Sequence, residues 1–491
     1  MPTPRTAMRT APRTPGSDPR RGRYLEARIA HWNGRADMAP SRLARYYHLR
    51  LAEVYRHLVF PGAAILEVGC GTGDLLAALA PSVGVGVDFS PAMLRHARER
   101  HPGIRFVDQD AHALDLGDEL FDVVILSDVV NDLWDVQGVL ERVRRACKPS
   151  TRVIINTYSH LWEAPLALAK VLGLARPVLR QNWITTADLE NMLRLAGFES
   201  LRTFQDVLCP VGIPGVARFA NAVLAKLTPF RYFALTNFLV ARPAPSRDRA
   251  GGPSLVSVVV PARNEAGNIA DILARTPEMG AGTEIVFVEG HSTDDTYSVI
   301  EKAIAEHPER RCRLLRQQGK GKGDAVRLGF AEAKGDVLMI LDADLTVPPE
   351  DLPRFHAALL EGAGEFVNGV RLVYPMQDRA MRFLNFLGNK FFSLAFSWLL
   401  GQVVKDTLCG TKVLRRSDYD RIAQNRAYFG EFDPFGDFDL LFGAAKQNLK
   451  IVDLPVRYGE RTYGTTNIQR FRHGLLLLRM VAFAASRIKF V

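Results

Sequence analysis

The sequence predicts an α/β protein built as two doubly wound units, each a largely parallel sheet wrapped by helices. Three observations predict it. A strand–loop–helix rhythm starts at Ala63; a stretch of Pro, Gly and charge with no apolar period, ARPAPSRDRAGGP, breaks it near residue 243; and the rhythm restarts at Ser254. At 491 residues the chain exceeds one ordinary core, so two or three domains are expected.

Composition narrows the function classes. Hydrophobic residues make up 47% and charged residues 24%, as in a globular protein. The formal net charge is +10, but residues 1–23 carry six arginines against Asp18, so +5 of that excess sits in one tail. Elsewhere no basic stripe is interleaved with aromatics, so nucleic acid is not an expected partner. Anionic lipid or phosphorylated substrates suit the excess better. The five cysteines (Cys70, Cys147, Cys209, Cys312, Cys409) show no CxxC or metal spacing, which fits a reducing compartment. There is no apolar leader at the N-terminus and no run of about 18 apolar residues. A cytoplasmic location is expected, with attachment to the inner face of a membrane as an extension of it.

Taken in order, residues 1–22 are rich in Pro, Thr and Arg and read as a disordered basic tail. Tyr24 to Leu58 is helical in pattern, with Trp32, Tyr46, Tyr47 and Tyr55 facing a core or covering a substrate. AILEV, VGVGVD, IRFVDQD, FDVVILSD and RVIINTYS follow as buried strands, and GFESLRTF and FALTNFLVARP close the first sheet. The first domain spans 23–242 and a linker 243–253. In the second, 254–491, SLVSVVVP and EIVFVEG are strands around a helix from Ala266. A helix over Ala325–Ala333, with Gly335 as its C-cap, leads to the apolar strand Val337–Leu341.

The first site lies in EVGCGTGD, 67–74. Gly69, Gly71 and Gly73 permit a tight turn and close backbone approach to a ligand, and G-x-G-x-G differs from the dinucleotide fingerprint G-x-G-x-x-G. Asp88 ends the next strand, where an acid accepts ribose hydroxyls, and Asp110 ends the one after. At these residues, over roughly 60–242, the chain resembles class I S-adenosylmethionine-dependent methyltransferases. The resemblance implies that Glu67, Gly69, Gly71 and Gly73 cradle the methionine end of S-adenosylmethionine, that Asp88 holds the ribose, and that Asp110 and Ala111 border the adenine. On the acceptor side SDVVNDLWD offers Ser127, Asp128, Asn131, Asp132 and Trp134, with Gln181 to Trp183 as further lining. Many relatives carry a His where Asp132 stands, so a His-based proton transfer does not carry over. Such a domain either methylates an acceptor, a glycan among the candidates, or serves as a cofactor-binding scaffold.

The second site centres on GKGKGDAVRLGFAEAKGDVLMILDADL. Asp342 and Asp344, at the carboxyl end of a buried strand, repel each other in water and are readily stabilised by a divalent cation with oxygen ligands, Mg²⁺ or Mn²⁺. With SVVVPARNE, EGHSTDDT and the GKGKG loop, the segment 254–460 resembles family-two glycosyltransferases of GT-A fold, so the fold class is two Rossmann-like units, a methyltransferase fold and then GT-A. The resemblance implies that Pro261, Ala262, Asn264, Glu265 and Glu289 border the nucleotide of a nucleotide-sugar donor. Asp342 and Asp344 would hold the metal, with Lys320 and Lys322 meeting phosphate. Relatives mostly carry Asp-Gly-Ser after the second strand; Glu289-Gly290-His291 departs from that. Asp406, Cys409, Gly410 and Lys412 match the DxxCGxK segment of transferases that load sugars onto polyprenyl phosphates. Asp406, Asp437 and Asp439 stand as catalytic acids, and Lys412, Arg457 and Arg461 as the holders of acceptor phosphate. A soluble sugar or small-molecule acceptor is the alternative. The apolar run 389–404 and the basic amphipathic C-terminus from Arg470 suit peripheral membrane association.

Overall fold

The computed structural model describes residues 19–38, 42–171, 179–245, 254–371, 383–426, 438–459, 461, 463 and 470–490. The chain divides into two compact units, Met1–Ala244 and Pro245–Val491.

The first unit has strands β1 (Ala64–Val68), β2 (Val83–Asp88), β3 (Arg105–Asp108), β4 (Phe121–Ser127), β5 (Cys147–Tyr158), β6 (Phe198–Asp206) and β7 (Thr236–Pro243). They form one sheet in the order β3-β2-β1-β4-β5-β7-β6. Six run in one direction, and β7 runs antiparallel to both its neighbours, β5 and β6. The reversal follows from the connection. Residues 207–235 start and end at one edge of the sheet, where the Leu235 N–H donates to the Val207 carbonyl at 2.9 Å, so β7 must run back. The helices are α1 (Pro19–Asn33), α2 (Arg42–Leu58), α3 (Asp74–Ala78), α4 (Pro91–Arg100), α5 (Val136–Val143), α6 (Glu163–Val171), α7 (Thr186–Leu195) and α8 (Val216–Ala222). Leu66, Val124, Ile125 and Ile154 are wholly buried, as expected of parallel strands covered on both faces. Burying each such side chain contributes about 1.5–3 kcal/mol.

Two boundaries differ from expectation. α1 begins at Pro19, inside the segment expected to be disordered; Pro is favoured there because its missing N–H is one a helix start leaves unbonded anyway. Arg21 and Arg28 then tie that helix to the sheet edge. The expected linker also starts late, because Pro243 ends β7 and the Ala244 N–H donates to the Gly197 carbonyl at 2.9 Å. Residues 1–18 and 246–253 lie outside the described residues.

The second unit has β8 (Val256–Ala262), β9 (Thr283–Glu289), β10 (Arg311–Arg316), β11 (Val337–Ile340), β12 (Phe366–Val370), β13 (Lys412–Arg415) and β14 (Ile451–Pro455), in the order β10-β9-β8-β11-β13-β12-β14. Only β13 runs against its neighbours. Its helices are α9 (Ile269–Arg275), α10 (Thr296–Glu306), α11 (Lys322–Glu332), α12 (Leu352–Leu360), α13 (Phe383–Leu400), α14 (Arg416–Gln424), α15 (Phe438–Lys446) and α16 (Arg470–Ala484). α11 starts three residues before the expected Ala325, bringing Lys322 into its first turn. Gly335 is not its cap. Ala333 ends the helix in an extended conformation, and Gly335 lies so close to β8 that a Cβ there would stand 2.6 Å from the Ser257 nitrogen. Among the described residues no helix is long and apolar enough to cross a membrane.

Candidate functional site

In the first unit the glycine loop follows β1. Gly69, Gly71 and Gly73 have φ of +75°, +52° and +72°, where a side chain is strained. A Cβ would also strike Val129 at Gly69 and Phe106 at Gly73, whereas at Gly71 nothing lies within 4 Å. Asp88, at the end of β2, holds this loop, accepting the Gly71 N–H at 2.8 Å and the Ser90 N–H at 2.9 Å. Burial nevertheless raises its pKa. Glu67 is buried beneath the loop with Oε2 lacking a partner, and burial pushes its carboxyl up to about 8. Asp110 accepts the His112 ring at 2.7 Å and Arg21 at 2.9 Å; burial raises its pKa, and these bonds outweigh that and hold it low. Gly69, Asp88, Asp110 and Ala111 line one pocket; Gly71 and Gly73 in the adjoining loop and Glu67 at the end of β1 are not among its lining residues, though Gly71 bonds the lining Asp88.

Helix α1 supplies Arg21, Tyr24, Leu25 and Arg28 to the same pocket. Arg28 donates to the Asp132 and Arg180 carbonyls at 2.9 and 2.6 Å and stands 3.3 Å from the Asp132 carboxylate. Sequence reasoning missed these arginines; their seven-residue spacing, one helical face, was the available signal.

The structure separates the acceptor-side candidates. Asp132 is tied to Arg28. Asn131 is buried with both side-chain polar atoms unpartnered. Asp128 takes left-handed backbone (φ +57°) and accepts the Tyr47 hydroxyl at 3.0 Å and Asn156 Nδ2 at 2.6 Å. Tyr55 in turn donates to Asn156 at 2.6 Å. Burial pushes the Asp128 carboxyl up to about 7. The Tyr158 ring lies 6.0 Å from that of Tyr47 and 6.5 Å from that of Trp183.

In the second unit Asp342 and Asp344 follow β11. Lys322 stands 2.6 Å from Asp342; burial opposes ionisation there, and Lys322, with Lys412 and Arg371 behind it, outweighs burial and keeps the pKa low. A Cβ on Gly410 would overlap the Asp342 carboxylate, so the glycine of the CGTK run makes room for it. Asp344 accepts Thr346 Oγ1 at 2.7 Å and Arg461 at 2.8 Å. Arg461 also stands 3.3 Å from Glu265, whose carboxyl burial pushes up to about 7 against the pull of Arg461. Glu265, Asp342, Asp344, Lys322 and Arg461 thus converge at the carboxyl edge of the sheet.

Other expected residues take supporting positions. Asn264, also left-handed (φ +57°), accepts the Thr293 N–H at 2.8 Å, and Glu289 accepts the Ser292 N–H at 2.6 Å, locking the turns after β8 and β9 together. Pro261 and Ala262 lie in register with Val288 and Glu289. His291 meets the Gly319 carbonyl at 2.9 Å.

Several assignments need correction. Asp406, expected as catalytic, is 1% exposed and accepts Arg371 Nε at 2.7 Å, Arg371 Nη2 at 2.9 Å and the Leu408 N–H at 3.0 Å. It positions the DTLCGTK segment. Lys412, expected on acceptor phosphate, is fully buried and donates to the Cys409 carbonyl. Arg461, expected on the same phosphate, bridges Glu265 and Asp344 instead. Asp439 is buried and accepts Arg426 at 2.8 Å. Arg457 is exposed just beyond β14, and Asp437 lies outside the described residues.

Known proteins bear on both units. Residues 257–423 match the family described as Glycosyl transferase family 2, and residues 65–150 match a methyltransferase domain. Glycosyltransferase AglJ of Haloferax volcanii is 30% identical over 224 residues, covering 45% of this chain and 69% of its own length. Dolichol-phosphate mannosyltransferase of Pyrococcus furiosus is 29% identical, covering 44% of this chain and 59% of itself. An undecaprenyl-phosphate 4-deoxy-4-formamido-L-arabinose transferase of Shewanella sediminis is 34% identical over 131 residues, 26% of this chain and 39% of its own. Among solved structures, magnesium protoporphyrin IX methyltransferase from Synechocystis PCC 6803 is 19% identical, covering 46% of this chain and 95% of itself at a TM-score of 0.31. An S-adenosylmethionine dependent methyltransferase from Mesorhizobium loti is 22% identical, with 42% and 99% covered at a TM-score of 0.32. The chain is a transferase of the Glycosyl transferase family 2, and it carries a methyltransferase domain ahead of that region.

Proposed function

We propose that the second unit moves a sugar from a nucleotide-sugar to a polyprenyl phosphate or another membrane-linked acceptor, with a divalent cation, and that the first unit moves a methyl group from S-adenosylmethionine. The observation that carries the first half is the convergence of Asp342, Asp344, Lys322 and Arg461 at the end of β11. Two carboxylates one residue apart, each beside a basic side chain, fit a hard cation with oxygen ligands, and the two basic side chains fit a diphosphate. When bound, such a cation supplies positive charge to the departing diphosphate. In the transfer the bond from the sugar's anomeric carbon to the diphosphate oxygen breaks with its electron pair leaving on oxygen, and an acceptor oxygen forms the new bond. Lys322, released from Asp342, holds negative charge on the leaving group. A lipid phosphate is ionised near neutrality and needs no base, which agrees with Asp406 and Asp439 both being bonded to arginines. The polyprenyl-phosphate substrates in the relatives' names favour the same acceptor.

Membrane attachment of this unit is supported by exposed apolar residues on its amphipathic helices. Phe391 and Leu394 on α13, and Leu475 and Leu478 on α16, face solvent near Arg479 and Arg487. All five cysteines are unpaired, in keeping with the cytoplasmic face of the membrane.

In the first unit the unpartnered Glu67 Oε2 and the open side of Gly71 fit the amino-acid end of the cofactor, and Asp88 its ribose. S-adenosylmethionine bound there would supply an electrophilic methyl group. Asp128, set between Tyr47 and Asn156, would take the proton of an acceptor hydroxyl; a carboxyl pushed up to about 7 suits a general base.

The test is nucleoside diphosphate release by the purified full chain with Mg²⁺ or Mn²⁺, across a panel of sugar nucleotides, with undecaprenyl phosphate or with soluble sugars. Release that depends on the lipid phosphate supports the reading, and no release with any pair refutes it. Calorimetry with S-adenosylmethionine tests the other unit, where absence of binding removes the methyl-transfer site.

A further inference from the structure

The first unit carries a face that its fold does not use. Between β6 and β7 the chain runs through 29 residues, 207–235, without one Asp or Glu. The segment nevertheless exposes large apolar side chains: Phe219 is 55% exposed, Phe233 59%, Tyr232 52% and Val216 57%. Arg218 is exposed among them. Helix α6 is joined to the segment, because Trp162 Nε1 donates to the Phe233 carbonyl at 2.9 Å and the Ser159 N–H to the Leu235 carbonyl at 2.7 Å. α6 adds Leu168, 59% exposed. Scattered exposed apolar residues are ordinary, but a concentration such as this marks an interaction surface.

Topology places that surface. β5 and β6 both run antiparallel to β7 and so parallel to each other. The connections leaving Tyr158 and Asp206 therefore lie at the carboxyl edge of the sheet, the edge that carries Gly69–Gly73, Asp88 and Asp128. Contacts join them directly: Thr236, the first residue after the segment, donates to the Tyr47 hydroxyl at 3.3 Å, and that hydroxyl bonds Asp128.

We propose that this face seats the methyltransferase unit on an anionic membrane, and that its methyl acceptor is an amphiphile held there, presented to Asp128 from the lipid side. The choice of a membrane over a protein partner rests on side-chain chemistry. Phenylalanine and tyrosine with flanking arginine, and no acid along the segment, match an interface of acyl chains beneath negatively charged headgroups. The acceptor half of the proposal rests on the reading of the first unit as a methyl-transfer site; the docking half does not.

Hydrogen exchange of the full chain, with and without vesicles of phosphatidylglycerol and phosphatidylcholine, tests it peptide by peptide. Peptides covering 160–171 and 208–235 are expected to slow several-fold with vesicles. The double variant Phe219→Glu/Phe233→Glu should lose that slowing and partition to vesicles roughly tenfold more weakly or worse, since two aromatic burials are removed. Unchanged exchange in these peptides while 383–400 slows would show that only the other unit docks, and overturns the proposal. Slowing that needs no lipid and grows with protein concentration identifies the face as a contact between two copies, and overturns it too. The wild-type measurement decides the matter even where the double variant fails to fold. Calorimetry with S-adenosylmethionine on the same sample reports separately on the methyl-transfer reading: binding without docking overturns the proposal alone, and docking without binding overturns that reading and the acceptor half with it.

Discussion

The two units place their candidate sites alike, at the carboxyl ends of central parallel strands, but surround the innermost acids of each differently. In the first unit Asp128 bonds the neutral Tyr47 and Asn156, Glu67 has an unpartnered oxygen, and burial pushes them up to about 7 and about 8. Asp110 and Asp132, which line the pocket there, pair with Arg21 and Arg28. In the second, Asp342, Asp344 and Asp406 each face a cation: Lys322, Arg461 and Arg371. The difference matches the charge of the expected ligands. A sulfonium cofactor brings its own positive charge, so the acids that receive it need no counter-ion from the protein. A sugar diphosphate brings negative charge, so its site needs basic groups, and in the free protein these rest on the acids. At these innermost acids, though not at Asp110, Asp132 or Glu265, the two units thus handle charge with opposite sign.

The sharpest way to break the comparison is to remove the acids of the second site. Asp342→Ala or Asp344→Ala is expected to lower nucleoside diphosphate release on the order of 10²–10³-fold, as when one electrostatic stabiliser of a transition state is deleted. Circular dichroism should stay native, because Lys322 and Arg461 are each partly exposed and rehydrate when their partners go. Asp406→Ala should behave differently. It strands the Arg371 guanidinium in the interior, so urea unfolding of this unit is expected to lose roughly 3–5 kcal/mol. Full stability with selective loss of turnover would instead return Asp406 to a catalytic role.

This contrast also explains what the sequence could and could not disclose. The glycine loop, the strand-end acids Asp88 and Asp110, and the Asp342-Ala343-Asp344 edge are local patterns, and each lies where the strand rhythm puts it. The cations are not local. Arg461 reaches Asp344 across 117 residues and Arg371 reaches Asp406 across 35, distances over which no periodicity or spacing carries information. The DxxCGxK motif therefore suggests a catalytic Asp406 and a phosphate-holding Lys412, whereas the fold buries both. Likewise Asp128 stood among five polar candidates after β4, and only its left-handed backbone and the Tyr47–Asn156 cradle single it out.

A pH titration sharpens the comparison from the other unit. Glu67 has its carboxyl raised from 4.5 to about 8 in the folded protein. The folded state therefore keeps a proton that the unfolded chain gives up above about 4.5. The stability this group contributes is complete below that pH, declines as pH rises, and is gone above about 8. Glu67→Gln, which stays neutral, should flatten that slope. Thermal unfolding of the variant should resemble wild type near pH 4.5 and exceed it by a few kcal/mol near pH 8.5. An unchanged slope would mean that Glu67 is already ionised in the folded protein at neutral pH. In the second unit Asp342 and Asp406 predict the reverse: their pKa values are lowered, so their contribution is present above the ordinary carboxylate range and lost as pH falls below it.

The smallest effect separates two arginines on one helix. Arg28 is buried, and its guanidinium holds the Asp132 and Arg180 carbonyls and the Asp132 carboxylate together. Arg28→Ala leaves these groups poorly hydrated, at a cost of about 1–3 kcal/mol. If α1 opens as a unit, its amides should then exchange roughly tenfold faster or more. Arg21 is partly exposed, with 22% of its side chain accessible, and its pair with Asp110 is of the kind worth about 0.2–1 kcal/mol. Asp110 also keeps lone-pair capacity on Oδ2 beyond the bond to Arg21, so an adenine amino group need not displace that side chain. Arg21→Ala should therefore change exchange in α1, and S-adenosylmethionine affinity by calorimetry, by less than about fivefold. If Arg21→Ala instead matched Arg28→Ala in both readouts, the closure of α1 over the pocket would depend on Asp110, and the adenine end of the site, rather than the Asp132 end, would be where the helix is fastened.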